Sequence, residues 1–379
     1  MPKPVILLFI DWFLPGYKAG GPISSCAHLI EQLRDEFDFR IVTRDTDYTE
    51  SIPYPGIASN TWIQREEGVW VYYFSDKELN WKNMARLMAN TPCHKIYLNG
   101  IYSRYFTGYP LLLLRNRKES VVIAARGMLA PSAIAVKKTK KMLFLRVVTL
   151  LGLFRKVTFH ATNLGEVKDI HKQFGTGCKV MLAGNLSSLK RPVLSPRVKQ
   201  KGALTLISVA RIAPEKNLLY ALEILSRIHQ GHIRFLIYGP VYDAKYEEQC
   251  KEQSLLLPSN IQVEFKGSVD PEKVHDLLSQ AHALWMPTRG ENFGHIIVQA
   301  WGAGCPVIIS DQTPWHQLDK QGLGMELPLQ EPELFARAIG VFVNMEQEEY
   351  NRLSECCYHF ALNRARDEGI VEENRRLFR

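Results

Sequence analysis

The chain has 379 residues, which is enough for two domains of roughly 150–200 residues each. Its hydrophobic content of 46% and its aromatic content of 10% exclude a disordered or low-complexity protein. The formal net charge of +8 indicates an anionic partner, which could be a nucleoside diphosphate, an acidic membrane surface or nucleic acid. Nucleic acid is the least favoured of these, because we recognise no nucleic-acid-binding module in the sequence.

The cysteines and the first apolar run bear on location. The seven cysteines are scattered and form no Cys-x-x-Cys pair, so reduced thiols in a cytoplasmic protein are the simplest interpretation. The apolar run over 5–10 is too short to span a membrane and has no small-residue cleavage site. We interpret it as a buried first strand.

Predicted strands and helices alternate along the first half of the chain. After the strand at 5–10, apolar residues recur at helical spacing from Ile23 to Leu33. Further strands are predicted at 39–43, 69–74, 95–98, 121–124 and 157–159. This alternation favours an α/β domain with a parallel, doubly wound sheet.

Polar residues and glycines follow several of these strands, at the edge of the sheet where ligands collect. Gly20 and Gly21 lie between the first strand and the first helix, where they would let the backbone approach a phosphate, although a simple tight turn is the alternative. Asp11, Arg126 and His160 each end or follow a strand and are candidates for substrate contact. A structural role is the more common fate of a lone histidine.

The pattern restarts after a segment rich in proline and charge, 191–202, which we interpret as a linker. Strands are then predicted at 204–209, 234–238, 261–265, 283–286 and 306–310, with helices at 217–228 and 274–281. A final helix is predicted within 351–378. The expected domains are therefore 1–190, 203–350 and a C-terminal helical segment over 351–379.

One loop of the second half carries two cations. Arg211 and Lys216 lie between the strand at 204–209 and the next helix, so both can turn toward one diphosphate. Fixed cations there would stabilise the negative charge that develops on a departing phosphate. Pro214 would stiffen the turn, and Asn217 is a candidate helix cap.

A second loop combines a carboxylate with a helix start. Glu291 is followed by Asn292, Phe293 and Gly294, and then by an apolar helix that contains Gln299. The open amides at a helix N-terminus favour an anion, and a carboxylate can accept hydrogen bonds from sugar hydroxyls. A phosphate and a sugar in one pocket describe a sugar nucleotide.

The two loops resemble the donor-binding signature of the retaining GT-B glycosyltransferases of family 4. That resemblance implies two Rossmann-like domains that face a cleft, with a last helix that crosses back onto the first domain. It also implies that Arg211 and Lys216 hold the donor diphosphate and that Glu291 contacts the transferred sugar. Gln299 replaces the second glutamate of the family signature, which binds the nucleotide ribose. The remaining positions implied to lie beside the donor are Gly20, Gly21, Gly239, Pro240, Thr288, Asn292, Phe293 and Gly294.

The resemblance further implies a reaction. A sugar would pass from a nucleoside-diphosphate donor to a hydroxyl acceptor with retention of configuration, by front-side displacement and without a metal or other cofactor. The acceptor is expected to be a lipid-linked or growing surface glycan. Gln299 keeps open the alternative of a sugar-nucleotide-binding protein with little or no activity. A GT-B epimerase or phosphorylase is a further, less favoured alternative.

The segment 137–156 has basic ends around an apolar middle. It is too short to cross a bilayer, but a basic amphipathic helix can lie on an anionic leaflet. A core helix with solvated flanks explains the same pattern. We therefore expect a cytoplasmic protein with a possible contact to the inner membrane face.

Overall fold

Residues 2–115, 120–135, 138–190 and 193–379 are described by a computed structural model. They form two units, each with its own sheet and core. The first unit comprises Met1–Leu189 and Asp367–Arg379, and the second comprises Lys190–Arg366.

An eight-stranded sheet forms the centre of the first unit, in the order β3-β4-β2-β1-β5-β6-β7-β8. All neighbours pair in parallel except β3 and β4, which are antiparallel. The strands are β1 (Val5–Phe9), β2 (Asp38–Arg44), β3 (Trp62–Glu66), β4 (Val69–Phe74), β5 (Lys95–Asn99), β6 (Ser120–Ala124), β7 (Val157–Ala161) and β8 (Lys179–Leu182).

Both faces of this sheet are covered. The central strands are therefore continuous apolar runs, as β1 is from Val5 to Phe9, instead of alternating sequences. The helices that precede the second unit are α1 (Gly21–Leu33), α2 (Trp81–Ala89), α3 (Tyr109–Leu113), α4 (Pro131–Ala135), α5 (Lys138–Leu150) and α6 (Leu164–Phe174). A π-helical turn, Arg104–Gly108, leads into α3.

The second unit has a six-stranded sheet in the order β11-β10-β9-β12-β13-β14, with parallel pairing throughout. Its strands are β9 (Ala203–Val209), β10 (His232–Tyr238), β11 (Ile261–Gly267), β12 (Ala283–Met286), β13 (Val307–Ser310) and β14 (Gly324–Leu327). Its helices are α7 (Leu218–Leu225), α8 (Ala244–Ser254), α9 (Pro271–Gln280), α10 (His295–Gly302), α11 (Pro332–Asn344) and α12 (Gln347–Ala365).

The strands that the sequence pattern missed lie at sheet edges. β3, β8 and β14 each form one end of a sheet and are at most partly buried over most of their length, so their sequences lack the long apolar runs of the central strands. Helices α2, α3, α4, α6, α8 and α11 were also not predicted. Of these, α8 is rich in charged and polar residues and buries only Tyr246 and Cys250.

The prediction of a linker over 191–202 is wrong for the part that the structure describes. Residues 191 and 192 lie outside the described residues, but the rest is anchored in the second unit. The buried guanidinium of Arg197 donates to the carbonyl oxygen of Gly304, at 2.5 Å, and to the hydroxyl of Tyr350, at 2.9 Å. Lys199 donates from Nζ to the carbonyl oxygens of Val343 and Met345, each at 3.2 Å. Its prolines and charges made this segment resemble a linker, because the carbonyl groups that accept from Arg197 and Lys199 are distant in sequence.

The C-terminal segment differs from the single helix predicted within 351–378. Helix α12 belongs to the second unit, and a separate helix, α13 (Glu368–Arg376), belongs to the first. Asp367 caps α13 by accepting the backbone N–H groups of Gly369 and Ile370. Beyond α13, the Phe378 ring packs on Phe37 and Phe39 in the core of the first unit. The change of unit therefore falls between residues 366 and 367 and not at residue 351.

Candidate functional site

Two loops meet at the carboxyl edge of the second sheet. One follows β9 and the other follows β12, and these strands are neighbours in a parallel arrangement. Because parallel neighbours end on the same side of a sheet, the side chains of residues 210–217 and 287–294 come together there. The loops thus occupy the place where open α/β sheets bind their ligands.

An ion pair joins the two loops. Lys216 Nζ contacts Glu291 Oε1, and the two side chains are only 16% and 14% exposed. Lys216 ends a short 3₁₀ turn, Pro214–Lys216, and Glu291 is held by the hydrogen bond from its backbone N–H to the carbonyl oxygen of Gln312, at 2.9 Å. A cation and a carboxylate are therefore fixed side by side in partial isolation from water, where electrostatic interactions are stronger than on an open surface.

Arg211 lies in the same loop as Lys216 but has other partners. Its Nη2 is 3.5 Å from Glu215 Oε1, and its guanidinium carbon lies 4.8 Å from the centre of the Tyr242 ring. The side chain is 38% exposed, so the guanidinium is oriented by two neighbours and still accessible to a ligand. Sequence reasoning missed Tyr242, although it lies only two residues after Pro240 of the Gly239–Pro240 turn.

Backbone and side-chain hydrogen bonds fasten the loops to each other. The carbonyl oxygen of Glu215 accepts the N–H of Arg289 at 2.9 Å and the hydroxyl of Thr288 at 3.0 Å. Asn217 has a left-handed backbone conformation, with φ of 60°, and its side chain bonds to the carbonyl oxygen of Pro287 and to Arg289 Nε, each at 3.0 Å. Asn217 is the N-cap residue of α7, as predicted, but its side chain makes no capping hydrogen bond, because it joins the loops instead. The fully buried Thr288 also joins them, which explains its place in the motif without a ligand.

Gly239 packs closely against the backbone of the loop that contains Arg211. Its φ is 149°, and a Cβ atom added to it would lie 1.8 Å from the carbonyl oxygen of Ala210. Only glycine fits at such a close approach of two backbones. The next residue, Pro240, accepts the N–H of Ile212 at 2.9 Å. The Gly239–Pro240 turn therefore shapes the cation loop.

The start of α10 is built around Gly294 and Phe293. Gly294 is the N-cap, with φ of 77° and no side-chain cap, and a Cβ there would lie 2.7 Å from Ile297 Cδ1. The buried Phe293 ring packs on the Trp315 ring, and Trp315 Nε1 donates to the carbonyl oxygen of Phe293 at 2.5 Å. The guanidinium of Arg364 lies over both rings, at 5.3 Å and 4.9 Å. Trp315 and Arg364 fix this loop and were missed from sequence, because only the fold brings them near it.

The two other polar residues of this motif differ in exposure. Asn292 is half-buried beside Glu291, and Gln299 is exposed on α10. The position that carries the second glutamate in the family signature is thus open to solvent on this helix. Its role remains a prediction.

The glycine loop of the first unit is held by an aspartate. The Asp47 carboxylate accepts the N–H of Tyr17 at 3.0 Å and that of Lys18 at 3.2 Å. Gly20, with φ of 75°, is the N-cap of α1, so no side chain caps this helix. Gly21 is the first residue of that helix and is exposed. The positive φ explains why a glycine occupies position 20, and the approach of this loop to a phosphate stays a prediction.

Asp-x-Asp is a metal-binding signature, and the sequence contains one such run, Asp45-Thr46-Asp47, although the resemblance implies a reaction without metal. Both carboxylates are buried, and both are used inside the first unit. Asp45 accepts the hydroxyl of Ser59 at 2.7 Å, and Asp47 holds the glycine loop. These contacts give the run a structural explanation.

Asp11 follows β1 at the same edge of the first sheet. Its Oδ1 accepts the hydroxyl of Ser103 at 2.8 Å. Burial raises the pKa of the Asp11 carboxyl group, against the opposing effects of the Ser103 hydrogen bond and the Arg44 charge. Asp11 is therefore placed where a ligand of the first unit could meet it.

Arg126 and His160 belong to one polar network inside the first unit. Arg126 donates from Nη2 to the Tyr97 hydroxyl, from Nη1 to Asn185 Oδ1 and from Nε to Asn99 Oδ1, at 2.6–2.8 Å. The same Tyr97 hydroxyl lies 2.8 Å from His160 Nδ1, while His160 Nε2 lies 2.8 Å from the carbonyl oxygen of Ala183.

The surroundings of His160 favour a structural role. The residue is only 1% exposed, and burial, together with the Arg126 charge, lowers the pKa of its imidazole to about 3. It is thus neutral at physiological pH, with both ring nitrogens hydrogen-bonded inside the unit. Its predicted substrate contact has no support in this arrangement, and Arg126 is also committed to internal partners.

The structure therefore groups the predicted residues into two sets. Arg211, Lys216, Gly239, Pro240, Thr288, Glu291, Asn292, Phe293, Gly294 and Gln299 lie in the second unit. Gly20, Gly21, Asp11, Arg126 and His160 lie in the first unit. Within the second unit, the loop over 210–217 and the loop over 287–294 are in direct contact.

Comparison with solved structures defines the fold. The sucrose-phosphate synthase of Thermosynechococcus elongatus aligns over 100% of this chain and 98% of its own, with 16% sequence identity and a TM-score of 0.74. HepE of Anabaena, in complex with UDP and glucose, aligns over 99% of this chain and 98% of its own, with 14% identity and a TM-score of 0.69. Two parallel-sheet α/β units with these neighbours constitute the GT-B fold, so the predicted fold class is confirmed.

Sequence comparison identifies a family model that matches much of the second unit. Residues 194–358 match the family model described as Glycosyl transferases group 1, and this stretch contains both loops. The gpi3 subunit of phosphatidylinositol N-acetylglucosaminyltransferase from Schizosaccharomyces pombe is 30% identical over 30% of this chain and 25% of its own. The putative glycosyltransferase EpsF of Bacillus subtilis is 31% identical over 34% of each chain. The chain thus spans about a third or less of the length of these relatives.

Proposed function

We propose that this protein is a glycosyltransferase that moves a sugar from a nucleoside-diphosphate donor to a hydroxyl acceptor. The Lys216–Glu291 ion pair, at the carboxyl edge of the second sheet, is the observation that carries this proposal. It unites a phosphate-binding group and a sugar-binding group within the stretch that matches the group 1 glycosyl transferases.

In the proposed complex, Arg211 and Lys216 bind the donor diphosphate. The exposed guanidinium of Arg211 offers a planar pair of donors, and Lys216 offers a point charge. The bond between the sugar and the phosphate breaks with its electron pair moving to the phosphate oxygen. Cations beside that oxygen stabilise the charge more in the transition state than in the ground state.

Glu291 would bind hydroxyl groups of the transferred sugar. Its carboxylate is an acceptor only, and it is adjacent to Lys216, so sugar and phosphate would be held in the correct order along the donor. The open N-terminus of α10 at Gly294 would add backbone donors for a phosphate oxygen.

Retention of configuration and independence from metal are finer parts of the proposal. In front-side displacement, the acceptor hydroxyl attacks from the side of the leaving phosphate, and its proton passes to a phosphate oxygen. Arg211 and Lys216 would neutralise the diphosphate in place of a divalent cation. No enzymic nucleophile is then required.

The acceptor is proposed to be a lipid-linked or growing surface glycan. The relatives named above include a phosphatidylinositol N-acetylglucosaminyltransferase subunit, whose name specifies a lipid acceptor. We therefore also propose a cytoplasmic location beside a membrane that carries such acceptors.

A donor screen followed by a transfer assay tests the function. Thermal shifts with UDP, GDP, CMP and dTDP identify the base, with UDP first, because HepE was solved with UDP and glucose. Sugar nucleotides of the selected base are then incubated with lipid-linked and soluble glycan acceptors. Nuclear magnetic resonance of the product gives the anomeric configuration. Transfer with retention, undiminished by a chelator, is expected, whereas an inverted product or activity that depends on a divalent cation would contradict the finer parts.

The exposed Gln299 favours one second candidate, a sugar-nucleotide-binding protein with little activity. A neutral amide cannot form the charge-assisted pair of hydrogen bonds that a carboxylate forms with a ribose. Binding of a nucleotide with neither transfer nor donor hydrolysis, across many acceptors, would support this candidate over the transferase.

A further inference from the structure

The excess positive charge of the chain is concentrated in one segment. Residues 120–165 contain eight of the 47 lysines and arginines and none of the 39 aspartates and glutamates. The other 39 basic residues are matched by 39 acidic ones, so the formal net charge of +8 arises entirely from this segment. Arg126 is directed into the first unit, and the other seven cations lie within 137–156, so the excess charge is local and not a general property of the surface.

Helix α5 carries an exposed apolar stripe through this segment. Leu143, Val147 and Leu150 recur at the spacing that places side chains on one helix face, and Leu151 follows in the turn after the helix. Their exposed fractions are 64%, 47%, 89% and 43%. Large apolar side chains in a continuous row on an open surface mark a place of interaction.

The opposite face of α5 is fixed to the first unit. Leu145 and Val148 are buried in its core, and the Phe144 ring packs on Tyr102 at 5.6 Å. Lys141 Nζ donates to the carbonyl oxygen of Ala133 at 2.6 Å. The helix therefore already buries a separate apolar face, and the stripe is additional to what its packing requires.

Exposed cations lie before, within and after the stripe along the chain. They are Lys138, Lys140, Arg146, Arg155 and Lys156, which we call the flanking cations. Lys137 precedes them in sequence but lies outside the described residues. Leucines between cations match the two layers of an anionic bilayer surface, in which phosphates lie above the acyl chains.

Other partners fit this surface less well. A nucleic acid would satisfy the flanking cations but leave the stripe in water. A second copy of the chain would cover the stripe but place like charges against each other. The helix is about 20 Å long against a hydrocarbon core of about 30 Å, so it can lie on a bilayer without crossing it. Consistently, no helix of the described chain is long and apolar enough to span a membrane.

We propose that α5 and the turn after it dock this protein on an anionic lipid bilayer. The stripe lies at the boundary between headgroups and acyl chains, and the flanking cations contact lipid phosphates. This inference goes beyond the transfer reaction and does not depend on it, because docking is measured without donor or acceptor.

The test is flotation of the full chain with vesicles of phosphatidylcholine alone or of phosphatidylcholine with phosphatidylglycerol. Binding is expected only to the anionic vesicles and should weaken as salt rises, because exposed charges are screened over about 10 Å at 0.1 M. Replacement of three flanking cations, Lys138→Gln, Lys140→Gln and Lys156→Gln, should lower partitioning about tenfold or more. Leu143→Ser with Leu150→Ser should lower it about tenfold as well.

Matched variants in the second unit serve as controls. Lys245→Gln, Lys273→Gln and Lys320→Gln remove the same charge from exposed sites, and Leu255→Ser with Leu256→Ser removes two leucines that are 84% and 73% exposed. Both control sets should bind anionic vesicles as the wild type does. Circular dichroism checks that each variant is folded. If a variant does not fold, the lipid and salt comparisons on the wild-type chain still test the proposal.

Several results would overturn the proposal. The first is that the chain binds neutral vesicles as strongly as anionic ones, and the second is that it binds neither. The third is that the control variants lose as much binding as the variants in and beside α5. Light scattering that shows a dimer abolished by Leu143→Ser and Leu150→Ser, without vesicle binding, would assign the stripe to a second copy of the chain. RNA binding through the flanking cations, again without vesicle binding, would assign the patch to nucleic acid.

Discussion

Lys216 and Glu291 are 75 positions apart in the chain, and their side chains form one partly buried ion pair. Each residue ends up in this place because its loop follows one of two neighbouring parallel strands, β9 and β12. In the proposed complex the pair would open onto one ligand, with Lys216 on its phosphate and Glu291 on its sugar. Removal of either partner leaves the other with an unpaired charge.

Glu291→Ala is expected to lower turnover about a hundredfold or more, because a site interaction of this kind contributes about 3 kcal/mol to the transition state. The measurement is steady-state transfer or donor hydrolysis. Glu264→Ala is the control, since Glu264 is also ion-paired, with Arg234 and Lys266, but on the edge strand β11. Near-normal turnover of Glu291→Ala would remove Glu291 from the reaction.

Gln299→Glu should leave activity unchanged or raise it. The position is exposed on α10, so a carboxylate there costs little stability and would restore the charge that strengthens ribose contacts. The comparison is the Michaelis constant for the donor, with the exposed Gln230→Glu as the control for added charge. Complete loss of activity would show that the neutral amide has a purpose of its own.

Trp315→Phe removes the indole donor to the carbonyl oxygen of Phe293 and keeps an aromatic ring beside the Phe293 ring. Loss of one buried hydrogen bond is worth about 1 kcal/mol, so donor binding should weaken about fivefold as the start of α10 loosens. Calorimetry with the donor nucleotide measures this effect.

A tryptophan in the core provides the control for Trp315. The indole N–H of Trp285 on β12 has no hydrogen-bond partner among the described residues, so Trp285→Phe loses only packing. That variant should be less stable to urea and still bind nucleotide normally. Equal effects of the two substitutions on nucleotide affinity would mean that Trp315 has no specific positioning role.

His160 should make the protein less stable in acid. Its pKa is about 3 in the folded chain and about 6.5 when unfolded, so the unfolded state alone binds a proton between these values. The stabilising contribution of neutral His160 to the free energy of unfolding is thus fully present above about pH 6.5. It declines by at most about 1.4 kcal/mol per pH unit as the pH falls toward 3. Urea unfolding of His160→Gln should show a shallower pH dependence in this window. The exposed His229→Gln is the control, and an unchanged slope in His160→Gln would contradict the assignment.

Much of the fold was predictable because the central strands are buried on both faces. The runs 5–10 and 283–286 are apolar throughout, and 204–209 is interrupted only by Thr205 and Ser208, which is a strong local signal. The edge strands β3, β8 and β14 gave no such signal, since most of their residues are not buried. The linker prediction failed at Arg197 and Lys199 because each bonds to carbonyl groups that are distant in sequence.

The site was predictable where one loop carries the chemistry and not where the fold assembles it. Arg211, Lys216 and Glu291 stand out because they follow apolar strands at the ligand-binding edge. Tyr242 and Trp315 lie after other strands and contact the loops only through space. Their aromatic character alone does not distinguish them from core residues.

Calorimetric titration of a nucleoside diphosphate and of its sugar nucleotide, against wild type, Arg211→Ala and Glu291→Ala, tests the central claim most directly. The proposed arrangement predicts that Arg211→Ala weakens binding of both ligands. It predicts that Glu291→Ala weakens only the sugar nucleotide, because its carboxylate would contact the sugar. Unchanged affinity of Arg211→Ala for both ligands, or equal affinity losses for both in Glu291→Ala, would contradict the claim that one sugar nucleotide is shared by these two loops.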